Sequence, residues 1–217
     1  MASLFDELLK RAESGNTDAQ IKVAEMYFKG IGIMPSYEES IKWLFKAADK
    51  NKYAAPQITK MYREGIGVKK DLKKAFDISL EYANKGNEIL MFELAGYYLN
   101  GIGVEKDINE AINWYKKSYE AGYIESAYFL GYIYQTNEMV KDNNEAINWY
   151  KKSAELNNPR ACYNLAYIYY DGTIALKNNE EALKYANKAF SLGLKEAKSL
   201  IDQINSDGGY HSYSIFI

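Results

Sequence analysis

The chain repeats itself, and the period decides what it can become. Aligning on Tyr27, Tyr62, Tyr98, Tyr134 and Tyr169 gives steps of 35, 36, 36 and 35 residues. Aligning on Ser40, Ala75, Ala111, Ala146 and Ala182 gives 35, 36, 35 and 36. A period of that length is one supersecondary unit. It cannot bury its own apolar face and is stable only when stacked on copies of itself. Five such units span about residues 16–193 of the 217.

Each unit divides into two helices. In the first, a small residue, a large apolar residue and a tyrosine fall at i, i+4 and i+8, which is one helical face. The sets are Ala19/Val23/Tyr27, Ala54/Ile58/Tyr62, Leu90/Leu94/Tyr98, Ser126/Leu130/Tyr134 and Ala161/Leu165/Tyr169. The second helix opens on Ser36, Asp71, Asp107, Asp142 or Asn178, all residue types that accept hydrogen bonds from orphan N–H groups at a helix start. Glu39, Glu110, Glu145 and Glu181 follow three residues after their caps and predict four reciprocal capping boxes, with Lys74 breaking the pattern. The three tryptophans, Trp43, Trp114 and Trp149, share one slot of this helix with Ile78 and Tyr185. The closing slot holds Asn51, Gly86, Gly122, Asn157 and Gly193, residues that tolerate a left-handed backbone. Start, buried face and stop agree from unit to unit, which argues more strongly than any single motif.

The ends keep the register. Leu8–Ser14 before Gly15 reads as a lone second helix, and Lys195–Ile204 as a lone first helix, so half-repeats cover the two apolar ends of the stack. The expected layout is all-α, about twelve antiparallel helices in a single solenoid over residues 1–205. It has an N-terminal capping helix (1–15), repeats at 16–51, 52–86, 87–122, 123–157 and 158–193, a C-terminal capping helix (194–205), and a tail from 206 to 217.

Composition removes most catalytic chemistry. There is one cysteine, Cys162, and one histidine, His211, so a His/Cys metal site or a histidine-based triad lacks its residues. Twenty-seven basic against twenty-nine acidic residues leave a net charge of −2, with no electrostatic footprint for nucleic acid or an anionic membrane. Asp6 and Glu7 interrupt any leader-like apolar run, and no stretch approaches the roughly 18 apolar residues of a membrane span. A cytoplasmic protein is expected. Gly30-x-Gly32, Gly65-x-Gly67 and Gly101-x-Gly103 have the look of phosphate loops, but such loops join a strand to a helix, whereas these recur between two helices. No catalytic residue, cofactor or metal ligand is expected. The unusual count is tyrosine, at 21.

The pattern resembles the Sel-one-like repeats, relatives of the tetratricopeptide repeats. Their motif runs roughly Ala-x-x-x-Leu-Gly-x-x-Tyr, Gly-x-Gly-Val-x-x-Asp, Lys-Ala-x-x-Trp-Tyr-x-x-Ala and Gly. The third unit carries nearly all of it, in Leu94-Ala95, Tyr98, Gly101-Ile102-Gly103-Val104, Asp107, Glu110-Ala111, Trp114-Tyr115 and Gly122. Ile78 replaces tryptophan in the second unit, and the loop Thr136–Val140 of the fourth has lost both glycines. The resemblance implies a right-handed α-solenoid whose first helices line a concave face, and scaffold or adaptor work in place of a reaction.

By analogy with tetratricopeptide repeats, groove-facing slots lie at −5, −2, +2, +5 and +6 from the large apolar residue of each first helix. They make the front of the groove charged, with Lys60 and Arg63, and the back aromatic, with Tyr128, Tyr132, Tyr163, Tyr167 and Tyr170. Phe92, Tyr128 and Tyr163 match an aromatic common in the family, so a structural role and an interface role are equally open for them. Tyr132, Tyr167 and Tyr170 are not required by the repeat. Together with Leu99 they present the rigid amphipathic area enriched at interface hot spots. The expected function is a non-catalytic protein-binding module, acting as an adaptor or as a masking, immunity-type inhibitor. The alternatives are a groove-binding receptor or enzyme for a small molecule, and a self-assembling structural spacer. The apolar segment Ile215-Phe216-Ile217 reads as part of a tail.

Overall fold

A computed structural model describes residues 3–212, with side chains as far as Asp207. Among the described residues there are twelve helices and no strand. They form two compact units, which divide at the end of the third repeat. In a repeat stack each element touches mainly its neighbours, so a division at a repeat boundary is the natural one.

The first unit, Met1–Ala121, holds α1 (Leu4–Glu13), α2 (Thr17–Lys29), α3 (Tyr37–Ala48), α4 (Ala54–Glu64), α5 (Leu72–Asn84), α6 (Glu88–Asn100) and α7 (Ile108–Glu120). The second, Gly122–Ile217, holds α8 (Glu125–Thr136), α9 (Asn143–Glu155), α10 (Pro159–Asp171), α11 (Asn179–Ser191) and α12 (Ala197–Ser212). Within each unit every helix packs on the one before and the one after. The periodic residues are the core: Val23, Ile58, Leu94, Leu130 and Leu165 are wholly buried, and so are Ala54, Leu90, Ser126 and Ala161 in the small slot.

The caps form as expected, but the capping boxes do not. Ser36, Asp71, Asp107, Asp142 and Asn178 each accept a backbone N–H from the first turn of their helix. The reciprocal bond from cap N–H to glutamate is replaced. Each cap N–H donates to a carbonyl of the preceding helix: Tyr27 (2.9 Å), Tyr62 (2.8 Å), Tyr98 (2.9 Å), Tyr134 (2.9 Å) and Tyr169 (2.8 Å). With that donor spent, the glutamates turn elsewhere, and Glu145 accepts from the Trp149 indole at 3.1 Å. A reciprocal box does occur at the start of α1, between Ser3 and Asp6.

Helix closure is also mixed. Gly86, Gly122, Asn157 and Gly193 have φ of 96°, 100°, 61° and 95°, whereas Asn51 is not left-handed. Its side chain accepts from the Tyr53 N–H at 2.9 Å and makes a turn of a different kind. The terminal helices are longer than the spacing predicts. α1 begins at Leu4 instead of Leu8, and α12 runs on to Ser212, so Ser206–Ser212 are helical and not tail. The His211 side chain and residues 213–217, including Ile215-Phe216-Ile217, lie outside the described residues.

The Gly-x-Gly loops have a packing reason. Gly67 and Gly103 have φ of 68° and 69°, and a Cβ there falls 2.0 Å from the Tyr37 ring and 2.2 Å from the Leu72 carbonyl oxygen. The second glycine therefore lets the loop of one repeat rest on the start of the second helix in the repeat before it.

Candidate functional site

In the second unit the tyrosines line two helix faces. Tyr128 and Tyr132 stand four apart on α8, with Gln135 three residues further on; Tyr163, Tyr167 and Tyr170 repeat that spacing on α10. Residues at i, i+4 and i+7 share a face. Tyr132 and Tyr167 occupy the same slot one repeat apart, and their side chains are 48% and 52% exposed. About half of each is left to solvent by the fold. Tyr128 and Tyr163 are partly buried and pack on the core, Tyr128 lying 6.0 Å from the Tyr150 ring. Their role is therefore at least partly structural.

Polar side chains fix this face from beneath. The buried Tyr150 donates its hydroxyl to Gln135 Oε1 at 2.8 Å. Burial pushes that phenol well above its ordinary value, and only a hydrogen bond from Asn164 draws it back. Its ring fits because Gly131 has no side chain: a Cβ there meets ring atoms at 2.6 to 2.9 Å. Tyr170 donates to Asp207 Oδ2 at 2.5 Å, and Lys177 lies 4.8 Å from its ring centre. The Asp207 carboxylate holds that phenol above its ordinary value. Tyr170 is thus partly committed to holding α12, which its slot alone does not disclose. Beside Tyr128 and Tyr163, two shallow hollows of about 180 and 300 Å³ flank the exposed Arg160.

The residues expected from the first unit are less available. Phe92 lies edge-on to Tyr115 with centroids 5.3 Å apart, and Leu99 is half-buried. Arg63 is committed internally. Its guanidinium lies 3.5 Å from Glu93 Oε2 and 3.5 Å from the Tyr97 hydroxyl, and 3.3 Å from Glu64. Glu93 also accepts from Thr59 at 3.1 Å. Burial raises the Glu93 carboxyl, and Arg63 and Thr59 offset part of that rise. Lys60 alone of the two expected cations stays exposed. It sits on the rim of a cavity of about 430 Å³ between α2, α3 and α4. The apolar floor of this cavity includes Ile21, Phe28 and Met61.

Five matches to the Sel1 repeat fall at residues 17–52, 53–86, 90–123, 124–158 and 159–194. The chain belongs to the Sel1 repeat family. Its helices are those of an all-α Sel1 solenoid, and this fold is generally a non-catalytic scaffold for protein–protein interaction. A protective antigen present in uropathogenic Escherichia coli strains is similar at 31% identity and a TM-score of 0.74, over 89% of this chain and 42% of that one. This chain thus spans less than half the length of that Sel1 relative. A Sel1 repeat protein from Oxalobacter formigenes is 30% identical with a TM-score of 0.70, over 86% of this chain and 78% of that one. Immunity protein Pa5087 from Pseudomonas aeruginosa shares the fold at 18% identity and a TM-score of 0.53, over 87% of this chain and 73% of that one. No curated protein matches the chain. Among the described residues, no three metal-binding side chains of the His, Cys, Asp or Glu type converge, and no helix is long and apolar enough to cross a membrane.

Proposed function

We propose that this Sel1 protein binds a partner protein through the tyrosine face of α8 and α10, and acts by occupying that partner. The observation that carries the reading is the pair Tyr132 and Tyr167. Both rings stand half out of the molecule in one repeat slot, and on the Tyr132 helix Gln135 accepts from the buried Tyr150. A tyrosine has few rotors to freeze and offers both an apolar ring and a hydroxyl. That is the make-up of residues that dominate binding energy at interfaces. Occupancy takes one of two forms, bridging two proteins or masking one. The description of a chain with the same fold as an immunity protein makes masking a concrete form of the second.

Site-specific photo-crosslinking tests the proposal. A benzoyl-phenylalanine is placed at position 132, at position 167, or at Phe190, an exposed aromatic on the second helix α11. In the native cell the same single protein adduct is expected from 132 and 167 and not from 190. The Tyr132→Ala/Tyr167→Ala variant is expected to bind that protein at least about tenfold more weakly. Adducts at 190 alone, or unchanged affinity in the double variant, remove the tyrosine face from the reading.

A further inference from the structure

Six positions recur wherever one first helix packs toward the next, and comparing them repeat by repeat separates one place from the others. Between α4 and α6 they are Thr59, Arg63, Ala75, Ser79, Glu93 and Tyr97, and the space is closed. Tyr97 and Arg63 meet at 3.5 Å, and Glu93 joins Thr59 at 3.1 Å. Between α8 and α10 the corresponding space is closed by the wholly buried Tyr150, bound to Gln135 at 2.8 Å. Between α2 and α4 the same six positions are Ala24, Phe28, Ser40, Leu44, Gln57 and Met61. The Phe28 ring lines this space but packs edge-on against Tyr37 at 5.3 Å, no tyrosine or polar cluster fills it, and a cavity of about 430 Å³ remains, within the range of roughly 300–1,000 Å³ usual for binding sites. The opening is thus a property of these side chains and not of the repeat.

Its charge is one-sided. Glu25 and Lys29 on the rim neutralise each other at 2.5 Å. Lys60, on the same rim, makes no ion pair among the described residues and is exposed. An apolar floor with one uncommitted cation at its edge complements an apolar side chain followed by a carboxylate.

We infer that the cavity between α2 and α4 is a second docking site, which takes a partner-protein segment pairing a large apolar side chain with an adjacent acidic residue. The apolar side chain enters over Phe28, Leu44 and Met61, and the carboxylate meets the Lys60 ammonium. This site shares no residue with the tyrosine face and stands or falls separately from it. A protein with both sites holds two segments at once, which is what bridging requires.

Methyl-labelled full-length protein is titrated with capped peptides of the form Gly-Φ-Φ-Glu-Glu-Gly, each Φ drawn from Leu, Ile, Phe and Met. The same set with lysine in place of glutamate is the control, and laurate is a third arm. The methyl signals of Ile21, Met61 and Ile66 report on the cavity. The glutamate set is expected to shift them in the wild type and the lysine set is not. Lys60→Glu, on an exposed side chain, is expected to keep the wild-type melting temperature, to weaken the glutamate peptides about fivefold or more, and to bind the lysine set instead. The inference is overturned if no peptide shifts these signals. It is also overturned if both sets shift them equally, if Lys60→Glu changes nothing, or if laurate alone moves them, which assigns the cavity to a small amphiphile.

Discussion

Single atoms decide much of this fold. Gly131 is helical and carries no backbone strain, yet a methyl group there strikes the Tyr150 ring. Gly131→Ala is therefore expected to cost about 1–3 kcal/mol by overpacking, measured by urea denaturation. Tyr150→Phe in the same background does not restore it, because the clash is with the ring and not the hydroxyl. Gly103→Ala combines a left-handed φ with a contact to backbone, while Gly86→Ala meets nothing within 4 Å. The first is expected to destabilise more than the second by at least about 1 kcal/mol in the same assay. The sequence told these glycines apart only in part. Gly-x-Gly was legible as a turn between helices, but what a Cβ would strike lies one repeat away and leaves no local mark.

Glu93 is one residue through which pH acts on stability. Its folded carboxyl lies above the ordinary 4.5, first because of burial. The folded state thus holds that proton more tightly than the unfolded chain. Its contribution is fully present below the unfolded value and is lost as pH rises through the folded one. Compared with Glu93→Gln, the wild type is expected to gain stability as pH is lowered from 7 toward 4.5. Denaturant midpoints of both proteins across that range check it, and a constant gap between them contradicts the assignment.

At the scale of the helix, the caps separate what spacing shows from what it cannot. Asp107 accepts two first-turn N–H groups, at 2.9 and 3.0 Å. Asp107→Ala is expected to cost about 1 kcal/mol in thermal or urea unfolding. A reciprocal capping box at this site predicts a similar loss for Glu110→Ala. The backbone bond from Asp107 N–H to the Tyr98 carbonyl predicts nearly none, because the donor that Glu110 was to satisfy is already paired. The Ser/Asp/Asn-x-x-Glu spacing was real, and half of the motif formed. The other half lost to a partner on another helix, which a linear motif does not contain. The tryptophan slot was legible for the same reason that it is periodic, and each ring is covered by a lysine three residues on, at 3.7, 4.1 and 3.9 Å for Trp43, Trp114 and Trp149. Of the candidate site, Tyr132 and Tyr167, assigned to groove slots by their spacing, are half exposed. Arg63 was not read as internal, since its partners Glu93 and Tyr97 lie about thirty residues downstream.

For the molecule as a whole, stability is expected to be local. In a repeat protein each unit draws its free energy from itself and its neighbours. In hydrogen-exchange mass spectrometry, Gly131→Ala is expected to lower protection in α8, α9 and α10 and to leave α2 and α3 unchanged. Uniform loss along the chain instead marks a single cooperative unit.

The five bonds from cap N–H to tyrosine carbonyl join main chain to main chain, so no side-chain replacement except proline at the cap can remove them. In four repeats the bonded residues are nine positions apart, and in the fourth, from Tyr134 to Asp142, they are eight; the bond survives at 2.9 Å although that loop has neither glycine. The clasp, and not the loop, closes each hairpin. In the fourth repeat, what runs between the two ends of the clasp carries no Gly-x-Gly turn of the kind that rests on the repeat before. Segment Asn137–Lys141 is accordingly where this scaffold will accept a grafted epitope, a protease site or a fluorophore tag, and where a lineage can vary length without renegotiating the stack.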